Sequence, residues 1–330
     1  MWVSEECFRD EEMRRAVMIN GDIEGVCDFS GSRGRLIEIE FFYDFFDEVL
    51  GLFKLSVEGR TLVDVLQDDW SIFSSSAIGE LVLDSICKDL APGFNAHSLV
   101  EYSDAIIGRI GVWDELKKSV MKDYRFFSNH GSLDSFSSFL PQASLPKKTV
   151  LYRARILPKG KTKLKRTEMG CPPADLSTAG RANPPGIPYL YLCRDESTTY
   201  YEVRAVQLDK LCVGRFLVQK ELKIVDFNAK TSLYLAFDGN DLADVVASQK
   251  IIDAIRRDMS RPMRRYDSEM EYIPTQMICE YCKVQGADGI CFDSTLHAGG
   301  KNYVLFDGKS AKCTKVYYHE VQEIDIKVSY

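Results

Sequence analysis

The hydrophobic period changes halfway along this chain, and that change restricts the folds open to it. Up to about residue 127 apolar residues recur at helical spacing. Phe42, Phe45, Phe46 and Val49 follow the i, i+3, i+4, i+7 rule of a helix face turned to a core. The whole stretch over residues 35–53, which also holds Leu36, Ile37, Ile39, Phe41 and Leu50, reads as helical. Residues 10–19, 60–67, 76–88 and 112–127 add weaker versions of the pattern, so the first half reads as a bundle of four or five helices. From residue 149 the segments are short and rich in β-branched and aromatic residues, as strands are. They are TVLYRAR (149–155), PYLYLC (188–193), RFLVQ (215–219), LKIVD (222–226), GICFD (289–293) and NYVLF (302–306), with further strand expected from Lys312 to Tyr330. Helices punctuate them. Asp195 can cap one through about Val206, Asn240 or Asp241 can start another running to about Arg257, and Pro274 suits the first turn of a third ending near Gly286. Strands mixed irregularly with helices mean an α+β class, not a regular βαβ winding.

At roughly 150 residues per domain, 330 residues make about two domains. The Ser- and Pro-rich stretch 129–148, NHGSLDSFSSFLPQASLPKK, has no clear period and reads as the boundary. The expected division is a helical domain at 1–140 and an α+β domain at 147–330. No apolar run approaches the roughly 20 residues of a membrane span; the longest, Phe41 to Phe53, is broken by Asp44, Asp47 and Glu48. The start, MWVSEECFRDEEMRR, has no basic residues leading into an apolar stretch, so a cytoplasmic location and no membrane association are expected.

Charge divides unevenly. Residues 1–146 hold 13 Lys+Arg and 26 Asp+Glu, a net −13, and the remainder holds 29 and 23, a net +6, which together give the chain's −7. The acidic half argues against nucleic-acid binding, because phosphate contacts dominate such affinity. The basic half suits a small anionic ligand, with a merely solvated surface as the plain alternative. The ten cysteines are scattered over a long chain, unlike a disulfide scaffold, and read as reduced, small apolar core residues.

Several pieces of the second half carry chemistry. Arg153 lies in a strand-like segment, LYRAR. The loop Gly180-Arg181-Ala182-Asn183-Pro184-Pro185-Gly186 leads into a strand holding Tyr191, and eleven residues later Glu202 falls within a helix. Ser294 follows a strand in DGICFDS. Two glycines permit backbone angles closed to other residues, and two prolines stiffen the loop, so that placing Arg181 costs little entropy when a ligand arrives. Each residue alone has an ordinary explanation: a solvated strand arginine, a core tyrosine, a surface glutamate on a helix.

Together the pieces LYRAR, GRANPPGIPYLYLCRDESTTYYEV, YIPTQ, GADGICFDS and GKNYVLFD come in the order and spacing of a known family. Over residues 149–307 this half resembles the RES domain. The resemblance implies an ADP-ribosyltransferase-like fold that binds NAD as substrate and breaks its bond to nicotinamide, with no metal. It also implies a place among bacterial toxins that deplete NAD and are often held in check by a partner protein. Arg153, Tyr191, Glu202 and Ser294 match the family's catalytic positions, and Arg153, Arg181, Asn183 and Tyr191 its NAD-binding ones. Nicotinamide leaves as a neutral molecule through an oxocarbenium-like state. The site therefore needs a diphosphate clamp, a flat surface and nearby negative charge, not a general acid. Arg153 and Arg181 suit the clamp, Tyr191 the surface, Glu202 the charge, and Ser294 a hydrogen bond to the ribose or carboxamide. Ala182 departs from the pattern, since an aromatic residue is usual there, and its methyl offers less packing to adenine or ribose.

Water or inorganic phosphate would make the chain an NAD glycohydrolase or NAD phosphorylase. Transfer of ADP-ribose to a protein is a close rival, and nucleotide binding without catalysis is another. The first half resembles the HEPN-like domain that precedes some RES domains. Arg125 and His130 match the spacing of an HEPN ribonuclease, although the acidic balance argues against it, and a sensing, self-associating or restraining role fits better. Ser4-x-x-Cys7 and Cys27-x-x-Ser30 retain half of each CxxC that some relatives carry. Serine is a poor zinc ligand, so no structural zinc is expected, while Cys7 and Cys27 are expected to lie close together. Cys279-x-x-Cys282 reads as core packing.

Overall fold

In a computed structural model, the structure describes residues 1–125, 140–261 and 269–324. The chain divides into two compact units, Met1–Val112 with Lys230–Ile251, and Trp113–Ala229 with Ile252–Tyr330. His130, the first part of the expected boundary stretch and the end of the tail lie outside the described residues. Among the described residues no helix is long and apolar enough to cross a membrane.

The first unit holds helices Glu11–Asn20, Tyr43–Leu50, Leu62–Trp70, Ser76–Leu90 and Asp104–Ile110. Asp10, Thr61 and Ser75 cap three of them by accepting backbone N–H bonds in the first turn. Phe42, Phe45, Phe46 and Val49 are all buried, as their spacing requires. Phe45 packs edge-on against Tyr234 and Phe237.

The reading of 35–53 as one helix needs correction. Leu36 and Ile37 belong to a strand, β3 (Arg33–Glu38), which pairs with β1 (Trp2–Ser4) and β2 (Ile23–Val26) in a small antiparallel sheet. A second pair, β4 (Phe53–Thr61) with β5 (Leu99–Tyr102), follows the helix. β1, β2, β3 and β5 are short and β4 is largely exposed, so their alternation is weak and the flanking helix masks it. The helices thus stand beside two small sheets instead of forming a bundle alone.

The second unit is built on one mixed eight-stranded sheet. Its strands are β6 (Gln142–Leu145), β7 (Val150–Ile156), β8 (Leu190–Cys193), β9 (Lys210–Val218), β10 (Leu222–Asp226), β11 (Gly289–Asp293), β12 (Lys301–Leu305) and β13 (Ala311–Glu320). They lie in the order β13-β9-β7-β8-β12-β11-β10-β6. All six predicted strands are present, and the whole is mixed α+β. β6 was missed inside the presumed linker. It is an edge strand with three of four residues exposed, held through its backbone to β10, so its side chains carry no strand signature.

Asp195 caps a helix, as expected, by accepting from the Thr198 amide. That helix ends at Glu202, not Val206, because Arg204 turns into the left-handed region at φ 51°. Pro274 sits in the first turn of helix Ile273–Val284, and Gly286 follows it at φ 86°. One face of the sheet is sealed by Leu151, Leu190, Leu192, Phe216 and Leu305. Leu305 is fully buried, and its loss would leave a cavity beside the strands that carry the site. We expect Leu305→Ala to cost about 2–5 kcal/mol, read as a lower urea midpoint for the transition that reports this sheet.

Candidate functional site

The four middle strands bring together residues from distant parts of the chain. β7 carries Arg153, β8 carries Tyr191, β12 carries Asn302, and Ser294 follows the end of β11. β8 pairs with both β7 and β12, and β12 with β11. The helix after β8 adds Glu202 at its last turn. Between these elements lies an open cleft of about 530 Å³. Arg153, Arg181, Tyr191, Glu202, Tyr272 and Asn302 are among the residues that line it.

Arg153 is half-buried, but its Nη1 is shut off from solvent and, among the described residues, makes no hydrogen bond. Burial, then repulsion from Arg155, pulls its pKa down to about 10, which still leaves it charged at neutral pH. A buried guanidinium nitrogen without a partner is costly unless a ligand supplies one, and phosphate oxygens match its geometry.

Glu202 is solvent-exposed but firmly oriented. Its Oε1 accepts from Ser294 Oγ at 2.7 Å and from Asn302 Nδ2 at 2.7 Å. Because both donors fall on one oxygen, they leave Oε2 to a ligand. Each donor is itself fixed. The Ser294 hydroxyl accepts from the amides of Leu296 and His297, both at 3.2 Å. Asn302 is buried, and its Oδ1 accepts from the Cys193 thiol. His297 Nδ1 lies 2.8 Å from Thr198 Oγ1, whose hydroxyl also meets the Asp195 carboxylate, so the turn after β11 is tied to the helix that carries Glu202.

The Gly180–Gly186 loop is held by residues the sequence offered for other tasks. Tyr191 donates its hydroxyl to Asn183 Oδ1 at 2.7 Å and accepts from the Ala182 amide at 3.0 Å. Its ring faces the cleft while its polar end serves as a post for the loop, and burial pushes its pKa up. Asn183, expected to touch NAD, is buried, with its amide donating to the carbonyls of Thr178 and Pro184. It shapes the loop and does not line the cleft. Gln276 donates to the carbonyls of Gly180 and Asn183, and Thr275 to that of Arg181. These contacts explain the YIPTQ piece. Arg181 faces the cleft with one nitrogen donated to the Met259 carbonyl, in the last turn of helix Leu242–Ser260, and its guanidinium stands 5.9 Å from the Tyr272 ring centre. The negative end of that helix suits a cation there.

The structure therefore gathers Arg153, Arg181, Tyr191 and Glu202 around one cleft, places Ser294 behind Glu202, and gives Asn183 to the loop. Sequence reasoning missed Asn302, although its signal was present: a polar residue in the otherwise apolar strand NYVLF. It also missed Gln276, whose partners are backbone carbonyls and leave no pattern.

The RES domain family model matches residues 150–328. No curated protein matches the sequence. A chain in the crystal structure of the M. tuberculosis MbcT–MbcA toxin–antitoxin complex is similar, at 13% identity with a TM-score of 0.32, over 67% of this chain and 93% of that one.

Two outcomes follow from the geometry. Burial depresses Arg153, so across the pH range from about 10 up to its ordinary value the unfolded chain holds this proton more tightly, and this group's contribution favours folding as pH rises. Below that range the penalty is constant. Arg153→Met, which removes the buried charge, should therefore stabilise the protein at neutral pH by about 1–3 kcal/mol in thermal denaturation. A Cβ at Gly180 would stand 2.5 Å from Asn183 Oδ1 and 2.7 Å from the Tyr191 hydroxyl. Gly180→Ala should displace the loop and destabilise the protein by about 1–3 kcal/mol, read as a lower thermal midpoint.

Proposed function

The chain belongs to the RES family, and from that premise we propose that it is an NAD-consuming enzyme that cleaves the bond between nicotinamide and ribose. The observation that carries this reading is the pairing, across one cleft, of a guanidinium whose buried Nη1 has no partner among the described residues with a carboxylate held by two donors. A dinucleotide needs both: a cation for its diphosphate and an anion beside the ribose that becomes positive.

In this reading Arg153 and Arg181 hold the two phosphates. The Tyr191 ring and neighbouring apolar side chains exclude water from one side. Glu202 faces the ribose. As the C1′–N bond breaks, its electron pair goes to the nicotinamide ring nitrogen and neutralises that ring's positive charge. The sugar becomes oxocarbenium-like, and the carboxylate stabilises it at short range. Ser294 and Asn302 lock the carboxylate rotamer beforehand, so little reorganisation is needed at the transition state. Water attack at C1′ gives ADP-ribose and a proton; attack by inorganic phosphate gives the 1-phosphate. Such an activity harms the cell that contains it. The reading therefore includes a toxin role and a restraint on the cleft mouth, by a partner protein or by self-association.

Nicotinamide release from NAD by the purified full chain, with and without phosphate, tests the reaction and names the acceptor. Glu202→Ala should lower kcat roughly 10²–10³-fold, and Asn302→Leu roughly 10- to 100-fold through loss of a charge-assisted bond. Full activity in Glu202→Ala would refute the site. Expression of the full chain should deplete host NAD, and expression of Glu202→Ala should not.

A further inference from the structure

One pair of nucleophilic side chains stands apart from this chemistry. Cys7 closes the short turn Glu5–Cys7 after β1, and Cys27 follows β2. Their sulfurs lie 3.3 Å apart, and both residues are buried. β1 and β2 flank β3 in one sheet, which brings the two segments side by side. The Asp28 amide donates to the Trp2 carbonyl at 3.0 Å, and the Trp2 amide to Asp28 Oδ2 at 2.7 Å. These ties hold the two segments together where the sulfurs meet.

The surroundings favour redox chemistry over metal ligation. Among the described residues no group of three His, Cys, Asp or Glu side chains is placed to hold a metal ion. The neighbouring polar groups are the hydroxyls of Ser4, Ser30 and Ser32, which bond one another at 2.7–3.3 Å. The Ser30 amide donates to Cys27 Sγ at 3.4 Å. Cys7 and Cys27 share a hydrogen bond, and with it the Cys27 thiol is held below its usual pKa and that of Cys7 above. The turn over Cys27 is closed by the Cys27 amide on the Ser32 carbonyl and the Gly31 amide on the Cys27 carbonyl. Its outer residues, Asp28 and Gly31, are exposed, so a small oxidant reaches the pair once that turn opens.

We propose that Cys7 and Cys27 form a reversible disulfide in response to a hydroperoxide. The Cys27 thiolate attacks one peroxide oxygen and the O–O bond breaks. The departing oxygen takes a proton and leaves as water or an alcohol, and Cys27 becomes a sulfenic acid. Cys7 sulfur then attacks Cys27 sulfur, the S–O bond breaks, and the hydroxide leaves as water with the Cys7 proton. Two thiols are oxidised by two electrons and one peroxide is reduced; a dithiol reverses the bond by exchange. The link would close the loop that carries helix Glu11–Asn20 and fasten it to the small sheet.

The test uses the full chain, reduced, freed of reductant and treated with hydrogen peroxide. Peptide mapping after denaturing alkylation should find a Cys7–Cys27 link, about 2 Da lighter than the two thiols, forming before any other cysteine pair and reversed by dithiothreitol. The oxidised protein should unfold at a higher temperature. In Cys7→Ser, a sulfenic-acid trap should label Cys27; in Cys27→Ser, Cys7 should stay unlabelled. Both thiols still alkylated after other cysteines have oxidised, a link between other cysteines instead, or zinc retained on the pair against a chelator would each overturn the proposal.

Discussion

The site turns on a guanidinium held where burial opposes its charge. Among the described residues no protein atom answers Arg153 Nη1, so the fold carries a buried donor without a protein partner. This is tolerable because β7 is an interior strand, bound by β9 on one side and touching β8 on the other. The sheet's apolar core, from Leu151 to Leu305, supplies the stability that the charge takes away.

Around that cation the remaining parts are rigid, for two different reasons. Glu202 is oriented by side chains, Ser294 and Asn302, which come from neighbouring ends of β11 and β12. The Gly180–Gly186 loop is oriented chiefly through its backbone, with Tyr191 and Gln276 reaching its amide and carbonyl groups. Two donors on one oxygen give the carboxylate a fixed rotamer. A loop that must present Arg181 needs a fixed backbone, and a Cβ at Gly180 would break it.

Much of this was legible beforehand where local chemistry speaks. The buried face of Phe42, Phe45, Phe46 and Val49, the Asp195 cap, the Pro274 start and six strands of the large sheet all follow from periodicity and capping. The nearness of Cys7 and Cys27 is what the resemblance to relatives with paired CxxC motifs implied. The misreadings lie where backbone pairing, not side-chain pattern, decides the state. Leu36 and Ile37 look helical beside Phe41 and Phe42 yet pair with β1, and β6 is a strand only because β10 offers it an edge.

By itself the sequence determined the α+β class, the cluster of RES-like pieces and the residue types, guanidinium, phenol and carboxylate, that the cleft offers. Those rest on side-chain chemistry and on periods of a few residues. Tertiary structure alone decided which of these groups meet and which end of each does so. Tyr191 keeps its ring for the cleft and spends its hydroxyl on the loop, Asn183 turns inward, and Asn302 becomes the second hand on Glu202. Such assignments depend on strand order and register across more than a hundred residues, and no local signal along the chain encodes them.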